Sequence, residues 1–215
     1  MELEQTPNLL PIFPLPGCLL LPRANMPLHI FEPRYRAMVT YALENSGMIG
    51  MVQPKNLRDP SEKPEIYETG CLGKISSFQE TDDGRYFLVL TGVCRFNIEE
   101  ELPTAQGGFR IVSPRFEEYL EDLCPPVPGF LDRVKLFEKL KAFAVSQEIN
   151  ISWEELRKAE DEELLNAVAM GAPFDPSDKQ ALLESSEIEK RASMLVAMLD
   201  VATHQSGEYE TDWLQ

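Results

Sequence analysis

Four cysteines and two histidines have the greatest capacity for chemistry in this chain of 215 residues. Cys18, Cys71, Cys94 and Cys124 stand far apart and form no C-x-x-C pair, so their spacing favours neither a zinc ribbon nor a thioredoxin-like redox centre. Separate thiols in a reducing compartment are a simpler interpretation than a disulfide framework. We therefore expect a cytoplasmic protein with four free cysteines.

The two histidines have structural explanations. His29 lies in the apolar, strand-like segment 26–31, where a packing role is favoured over a role as a base. His204 lies near the end of the last predicted helix, where a cation suits the helix dipole. A small hydrolase that pairs His29 with a cysteine such as Cys18 stays open as an alternative, although no nucleophile signature surrounds any cysteine.

Motifs for phosphates, metals and cofactors do not match. The string Gly70–Ile75 has the wrong spacing for a phosphate-binding loop, and the dinucleotide fingerprint is missing. The acidic runs 99–101 and 160–163 lack the alternating oxygen ligands and the glycine of a calcium loop, and they are typical of a solvated surface or a first helical turn. We therefore predict no metal, no cofactor and no catalytic residues, which means that the protein is not an enzyme.

The charge of the chain limits its partners. The sequence has 20 basic and 36 acidic residues and a net charge of -16. Residues 118–215 are the more acidic half, with 9 basic against 21 acidic side chains. Such a chain lacks the basic surface that nucleic acids require, and it is repelled by anionic membranes. It also has no apolar run near the ~20 residues of a membrane-spanning helix. We expect neither nucleic acid nor membrane as a partner.

Short apolar runs between glycines, prolines and aspartates predict a β-rich first half, residues 9–116. One hairpin joins residues 72–78 to residues 86–90 through Asp82-Asp83-Gly84, in which Asp-Gly is typical of a type I′ turn. The second run is apolar at every position, which predicts a strand covered on both faces. A helix over residues 33–47 interrupts the strands. A small β-barrel with one inserted helix is the expected fold.

The strand that follows Gly92 alternates in polarity. Cys94, Phe96 and Ile98 are predicted to face the core, whereas Arg95 is predicted to face solvent. We therefore expect Phe96 to contribute strongly to stability and Arg95 to contribute little.

The second half follows a proline-rich break and has helical periodicity. The predicted class is α+β, with a barrel followed by a C-terminal helical bundle. The predicted segments are a barrel subdomain at 1–122, a linker at 123–129, a helical bundle at 130–206 and an acidic tail at 207–215.

Several separated stretches of the sequence resemble those of a known protein family. They are Leu-Pro-Ile-Phe-Pro-Leu at 10–15, Met-Pro-Leu-His-Ile-Phe-Glu-Pro-Arg-Tyr at 26–35, the hairpin region 70–96, and Lys-Gln-Ala-Leu-Leu-Glu at 179–184, leading to Glu189-Lys190-Arg191. In this order they closely resemble the N-terminal domain of Lon proteases, particularly its stand-alone bacterial versions. The resemblance covers roughly residues 8 to 200, and several motifs in the right order are more specific than any one of them.

The resemblance implies a PUA-like β-barrel followed by a helical bundle, in a region linked to substrate recognition and assembly. ATP hydrolysis and peptide cleavage reside in later domains of the full-length proteases, and we expect this chain to lack those domains. The expected function is a non-catalytic polypeptide-binding or adaptor module, with unfolded or misfolded polypeptides or a protease as partners. A PUA-like RNA-binding module and the small Cys/His hydrolase are the alternatives.

Two segments are candidates for contact with a polypeptide. The candidate residues are Pro14, Leu15, Pro16, Glu32, Arg34 and Arg36. The proline loop at 14–17 cannot join a regular ladder, and its apolar side chains are expected at the surface unless Leu15 closes one end of the barrel. The charged residues at the start of the predicted helix could recognise a charged ligand or could pair with one another.

The predicted linker leads to a test by limited proteolysis. Because prolines at 125, 126 and 128 exclude regular structure, the segment 123–129 should be cut before any other internal segment. Mass spectrometry of the first fragments locates the cut. A first cut within residues 70–116 would contradict the division into two packing units.

Overall fold

The chain forms two compact units in a computed structural model that describes residues 6–56, 59, 61, 63–126 and 128–211, with side chains described as far as residue 204. The first unit comprises residues 1–125 and 170–184, and the second comprises 126–169 and 185–215. The boundaries predicted from the sequence stay a prediction. The structure adds that residues 170–184 group with the strands. Of the predicted acidic tail, residues 207–211 continue the last helix, and residues 212–215 lie outside the described residues.

Strands make up most of the first unit. They are β1 (Leu10–Pro14), β2 (Asn25–Ile30), β3 (Met48–Val52), β4 (Thr69–Glu80), β5 (Tyr86–Glu101) and β6 (Arg110–Arg115). The order in the sheet is β2-β5-β4-β3-β1-β6, and β6 also pairs with β5, so the pairings of five strands return to their starting strand. β1 and β3 run parallel, and the other pairs are antiparallel. The predicted α+β class is confirmed.

Helices occur where the periodicity predicts them. They are α1 (Pro33–Glu44), α2 (Arg133–Ser146), α3 (Trp153–Lys158), α4 (Asp161–Gly171), α5 (Pro176–Glu184) and α6 (Ile188–Thr211), with a 3-10 helix at Glu117–Leu123. α1 begins at Pro33 and is followed by Gly47, whose φ of 68° lets its N–H reach the carbonyl of Ala42 at 2.7 Å. Within the described residues, no helix has the length and apolarity needed to cross a membrane.

The predicted hairpin between β4 and β5 is confirmed, but its turn differs from the expected one. Thr81 and Arg85 close the turn, where the Thr81 N–H donates to the Arg85 carbonyl at 2.9 Å. Gly84 has a positive φ of 74°, whereas Asp83 does not have a positive φ. A type I′ turn needs positive φ at both central residues, so that prediction is wrong. Three residues, 82–84, lie between Thr81 and Arg85 instead, with glycine at the left-handed position.

The strand β5 also carries a bulge at the predicted glycine. The register changes from Leu72 opposite Cys94 to Gly73 opposite Gly92, which leaves Val93 as the extra residue. A Cβ atom at Gly92 would lie 2.0 Å from the carbonyl oxygen of Leu21. Only glycine permits this approach of the chain that leads into β2, which explains the residue type at this position.

The core of the first unit is built mainly by residues of the strands. Its buried members are Leu10, Ile12, Met48, Val52, Leu72, Cys94, Phe96, Val112, Phe116 and Tyr119. Phe96 is fully buried and packs its ring 6.2 Å from that of Phe116. The inward orientation predicted for Phe96 and Cys94 agrees with their burial.

Arg95 differs from its prediction, because it is buried at 3% exposure. Its Nε and Nη2 donate to the two carboxylate oxygens of Asp122 at 2.8 Å each, and its own backbone N–H also donates to Asp122. Its Nη1 donates to the Leu183 carbonyl at 3.0 Å, and its guanidinium lies 4.5 Å above the Tyr119 ring. The expectation that Arg95 faces solvent is wrong, since alternation cannot reveal a carboxylate supplied by a distant helix.

A second polar contact attaches α5 to the strands. Gln180 donates from its side-chain amide to the carbonyl of Thr69 at 3.1 Å, and its Oε1 accepts from the side chain of Gln53 at 3.2 Å. Both glutamines are buried. These bonds explain why residues 170–184 group with the strands.

The second unit is helical. α2 and α6 pack along each other, and Lys139 Nζ lies 2.7 Å from Asp200 Oδ1 between them. Arg133 at the start of α2 pairs with Asp161 at the start of α4, at 2.9 Å. The buried apolar residues of the second unit include Leu136, Leu140, Phe143, Leu164, Leu165, Leu195 and Leu199.

The buried ion pair removes the difference in stability effect that the sequence predicts between Arg95 and Phe96. Arg95→Ala should destabilise the protein by about 3 to 5 kcal/mol because it leaves the carboxylate of Asp122 buried and unpaired. Phe96→Ala should cost a similar amount, about 3 to 5 kcal/mol, through the cavity that it leaves. Urea denaturation measures both.

The exposed residue Glu99 in the same strand provides the control, and Glu99→Ala should change stability by about 0.5 kcal/mol or less. The double substitution Arg95→Met with Asp122→Leu should recover much of the loss, because it removes both charges together. A small effect of Arg95→Ala would contradict the role of the ion pair.

Candidate functional site

The predicted proline loop is partly accessible. Pro14 is buried at the end of β1, Leu15 is half-buried and Pro16 is exposed. The N–H of Leu15 donates to the carbonyl of Val52 at 3.1 Å, which extends the pairing of β1 with β3 by one bond. The surface offered by this loop is therefore Pro16 with part of Leu15.

The predicted charged residues at the start of α1 separate into two groups. Glu32 and Arg34 form a local ion pair at 3.0 Å, and the guanidinium of Arg34 lies 4.5 Å from the Tyr35 ring centre. Arg36 instead lies 5.6 Å above the Tyr86 ring. The Tyr35 ring packs 4.4 Å from the Phe13 ring, so the helix start contacts β1 directly.

Three aromatic side chains at β2 and β5 form a surface that the sequence did not predict as a site. We call His29, Phe31 and Phe87 the aromatic surface. His29 stacks on Phe87 with ring centres 4.4 Å apart and an interplanar angle of 12°, and Phe31 lies 5.7 Å from His29. Phe31 is 59% exposed and Phe87 is 48% exposed. Large apolar side chains clustered at the surface are typical of interaction sites.

The geometry of β2 explains this exposure. β2 ends the strand order and pairs with β5, and within the described residues no other strand pairs with it. Pro27 and His29 are exposed and alternate with the buried residues Met26 and Ile30. His29 is opposite Phe87 in the register, so both rings lie on the same face. The expectation that residues 86–90 are covered on both faces is therefore wrong at Phe87. His29 packs against another residue, as expected, but it does so at the surface, on the Phe87 ring.

A sequence signal for this surface was available. Proline within an apolar run is typical of an edge strand, because it cannot donate to a neighbouring strand. The alternation of Pro27 and His29 with apolar residues indicates which side chains share the outer face. What the sequence could not indicate was that Phe87 would be the partner of His29.

A polar groove of about 490 Å³ lies elsewhere in the first unit. Its lining includes Tyr67, Asn97, Arg115 and Glu118. Arg115 pairs with Glu118 at 3.1 Å, and the Asn97 amide donates to the same carboxylate at 2.9 Å. These polar groups satisfy one another, which makes the groove a weaker candidate than the aromatic surface.

The cysteines form no catalytic constellation with the histidines in the part of the chain that is described. The aromatic contacts of the His29 ring are Phe31 and Phe87. Burial raises the pKa of Cys18, while the positive charge of Lys179 acts in the opposite direction. Burial also lowers the pKa of Lys179, whose ammonium donates to the carbonyls of Gly17 and Met170 at 3.0 and 3.1 Å.

Potential metal ligands are also dispersed. Among the described residues, no group of three or more His, Cys, Asp or Glu side chains is arranged to hold a metal ion.

Comparison with known proteins assigns the chain to a family. A family model described as the ATP-dependent protease La (LON) substrate-binding domain matches residues 9–201. The chain belongs to this family. The resemblance inferred from the sequence is confirmed.

Proteins similar to this chain include bacterial Lon proteases. The Lon protease of Cytophaga hutchinsonii is 26% identical over 210 residues, covering 93% of this chain and 25% of that protein. The Lon protease of Dictyoglomus thermophilum is 24% identical over 193 residues, covering 88% of this chain and 24% of that protein. The chain thus spans about a quarter of the length of these curated relatives.

Solved structures of this family share the fold. A Lon N-terminal domain protein from Xanthomonas campestris is similar with a TM-score of 0.58 and 22% identity, covering 88% of this chain and 97% of that one. The N-terminal domain of a Mycobacterium avium complex Lon protease gives a TM-score of 0.59 with 19% identity, covering 89% and 98%.

The burial of two thiols leads to a test of the core by alkylation. Burial raises the pKa of Cys94 to about 12 and that of Cys71 further above its usual range, so neither forms the reactive thiolate near neutral pH. Iodoacetamide at pH 8 should label the exposed Cys124 first and leave Cys71 and Cys94 unlabelled until the protein is denatured. Peptide mass spectrometry over time measures the order. Rapid labelling of Cys94 in the native protein would contradict this account of the core.

Proposed function

We propose that this chain is a non-catalytic polypeptide-binding module that holds apolar segments of unfolded chains at the aromatic surface. The observation that carries the proposal is the exposed stack of His29, on the edge strand β2, with Phe87 on the neighbouring strand β5. Phe31 lies beside His29, just after the end of β2. The family description as a substrate-binding domain supports the same function.

The edge position of β2 supports a specific mode of binding. An extended polypeptide can add to the free edge of a sheet, where backbone hydrogen bonds supply affinity without demanding a particular sequence. The aromatic surface adjoins this edge and offers apolar contacts to alternate side chains of the added strand. Pro27 removes one donor, which limits the length of regular pairing. This combination suits a binder of many unfolded sequences.

A partner protease is the proposed recipient of the bound chain. The relatives that share this domain are named Lon proteases, and they are about four times as long as this chain. In this proposal the module acts as an adaptor, which binds the unfolded chain and passes it to the protease.

The proposed architecture is a PUA-like β-barrel with one inserted helix, followed by a helical bundle. The ring of strand pairings and the position of α1 between β2 and β3 support the barrel. The packing of α2 along α6 supports the bundle. The proposed boundaries remain 1–122, 123–129, 130–206 and 207–215. The four free cysteines support a reducing compartment, and the cytoplasm is the proposed location.

Substitution at the aromatic surface tests the function. Phe87→Ser should weaken binding of a reduced, carboxymethylated, fluorescently labelled model protein by about tenfold, or about 1.4 kcal/mol, because an aromatic contact area is lost. The melting temperature should change little, because Phe87 is half exposed. Fluorescence anisotropy measures the affinity of the full chain.

Val134 provides the matched control, since it is 80% exposed on α2 in the second unit. Val134→Ser should leave the affinity unchanged. Leu15→Asp tests the predicted proline loop in the same assay, and a loss of affinity there would add that loop to the surface. Equal affinities of wild type and Phe87→Ser would contradict binding at the aromatic surface. Failure of wild type to bind any unfolded chain would contradict the proposed function.

A further inference from the structure

A second cluster near the β4–β5 turn combines a cation with two aromatic rings. The guanidinium of Arg36 lies 5.6 Å above the ring of Tyr86, and the Phe78 ring lies 5.1 Å from that of Tyr86. Phe78 is 39% exposed. Phe78 and Tyr86 belong to β4 and β5, respectively, whereas Arg36 belongs to α1. We call these three residues the arginine site.

Arg36 has hydrogen-bonding capacity that is not used. Its Nε is buried and has no hydrogen-bond partner, and no carboxylate among the described residues forms an ion pair with it. A guanidinium carries five N–H donors, and a buried donor without a partner is energetically costly. An anionic group placed beside the exposed part of Arg36 would supply acceptors for this guanidinium.

Two carboxylates close in sequence to residues of the arginine site have other partners. Glu32 pairs with Arg34 at 3.0 Å, and Asp83 pairs with Arg85 at 2.9 Å. Glu80 is exposed and is opposite Tyr86 in the strand register, so it contributes negative charge near the site. Because of this neighbour, a ligand with one negative charge is favoured over a phosphate with nearly two.

The turn holds Arg36 in place. Gly84 has a φ of 74°, and a Cβ atom there would lie 2.9 Å from Nη2 of Arg36. The close approach of the turn and the stacking on Tyr86 restrict the guanidinium from two sides. A restricted guanidinium loses less conformational entropy when it binds a carboxylate.

We infer that the arginine site binds an acidic side chain within an apolar segment of an unfolded polypeptide, with the carboxylate on Arg36 and a neighbouring apolar side chain on Phe78. The inference rests on the proposed function and adds a preference to it. A charge-assisted hydrogen bond is directional and strong relative to a neutral one, so the site distinguishes segments that carry such a carboxylate. The module would therefore prefer apolar segments with one Asp or Glu over otherwise identical neutral segments.

Three labelled peptides test this preference with the full chain. The first is an apolar, aromatic peptide with one central Glu and both termini blocked, and the second has Gln in place of Glu. The third is the Gln peptide with a free C-terminal carboxylate. The wild-type protein should bind the Glu peptide about fivefold more tightly than the blocked Gln peptide, as expected for a partly exposed ion pair. The third peptide should bind like the second.

The variant Arg36→Gln should bind both blocked peptides equally, with the affinity for the Gln peptide unchanged. Arg85→Gln is the control, because it removes the same charge from the same turn region but Arg85 already has a carboxylate partner. It should retain the fivefold preference. If circular dichroism shows that Arg36→Gln does not fold, Arg36→Lys replaces it. The wild-type preference for the Glu peptide should also be lost in high salt, because salt screens an exposed ion pair. A preference that is insensitive to salt would overturn the inference.

The outcomes separate the two claims. Equal binding of both blocked peptides by wild type, or a preference that persists in Arg36→Gln, would overturn the arginine site and leave the proposed function intact. A preference that follows the free C-terminus would overturn the assignment to an internal acidic side chain. Failure of wild type to bind any of the three peptides would count against the proposed function itself.

Discussion

The buried ion pair between Arg95 and Asp122 is the interaction on which the first unit depends. Removing two charges from water is costly, and the cost is offset only where hydrogen bonding is nearly complete. Here both carboxylate oxygens of Asp122 accept from the Arg95 side chain, and Leu183 supplies a further acceptor. One side chain thereby connects β5, the 3-10 helix and α5, although these elements are far apart in the sequence.

The same strand connects this anchor to the proposed binding surface. β5 carries Arg95 in its second half and Phe87 near its beginning, and it pairs with β2, β4 and β6. The anchored half gives the strand a defined position, while the first half presents an aromatic ring beside the edge strand. The residues that stabilise the fold and the residues proposed to bind a polypeptide therefore lie on different parts of one strand.

The sequence was sufficient for features that depend on local chemistry. Pro33 predicted the start of α1, and Gly47 lies three residues beyond its end at Glu44. The alternation of Cys94 and Phe96 predicted their burial, and the quoted motifs predicted the family. Features that depend on distant residues were not predictable in this way. The polarity of Arg95 predicts exposure to solvent, and only the structure shows that Asp122 pairs with it. Phe87 belongs to an apolar run, and only the structure shows that its outer face is exposed beside the edge strand β2.

Hydrogen–deuterium exchange of the full chain, with and without a saturating unfolded model protein, tests the central claim most directly. The account predicts slower exchange in residues 25–31 and 86–91 on binding, because an added strand protects the amides of β2 and covers the adjoining part of β5. Exchange in α2 and α6 should be unchanged. Protection confined to the helices of the second unit, or no protection under conditions where binding is measured, would contradict it.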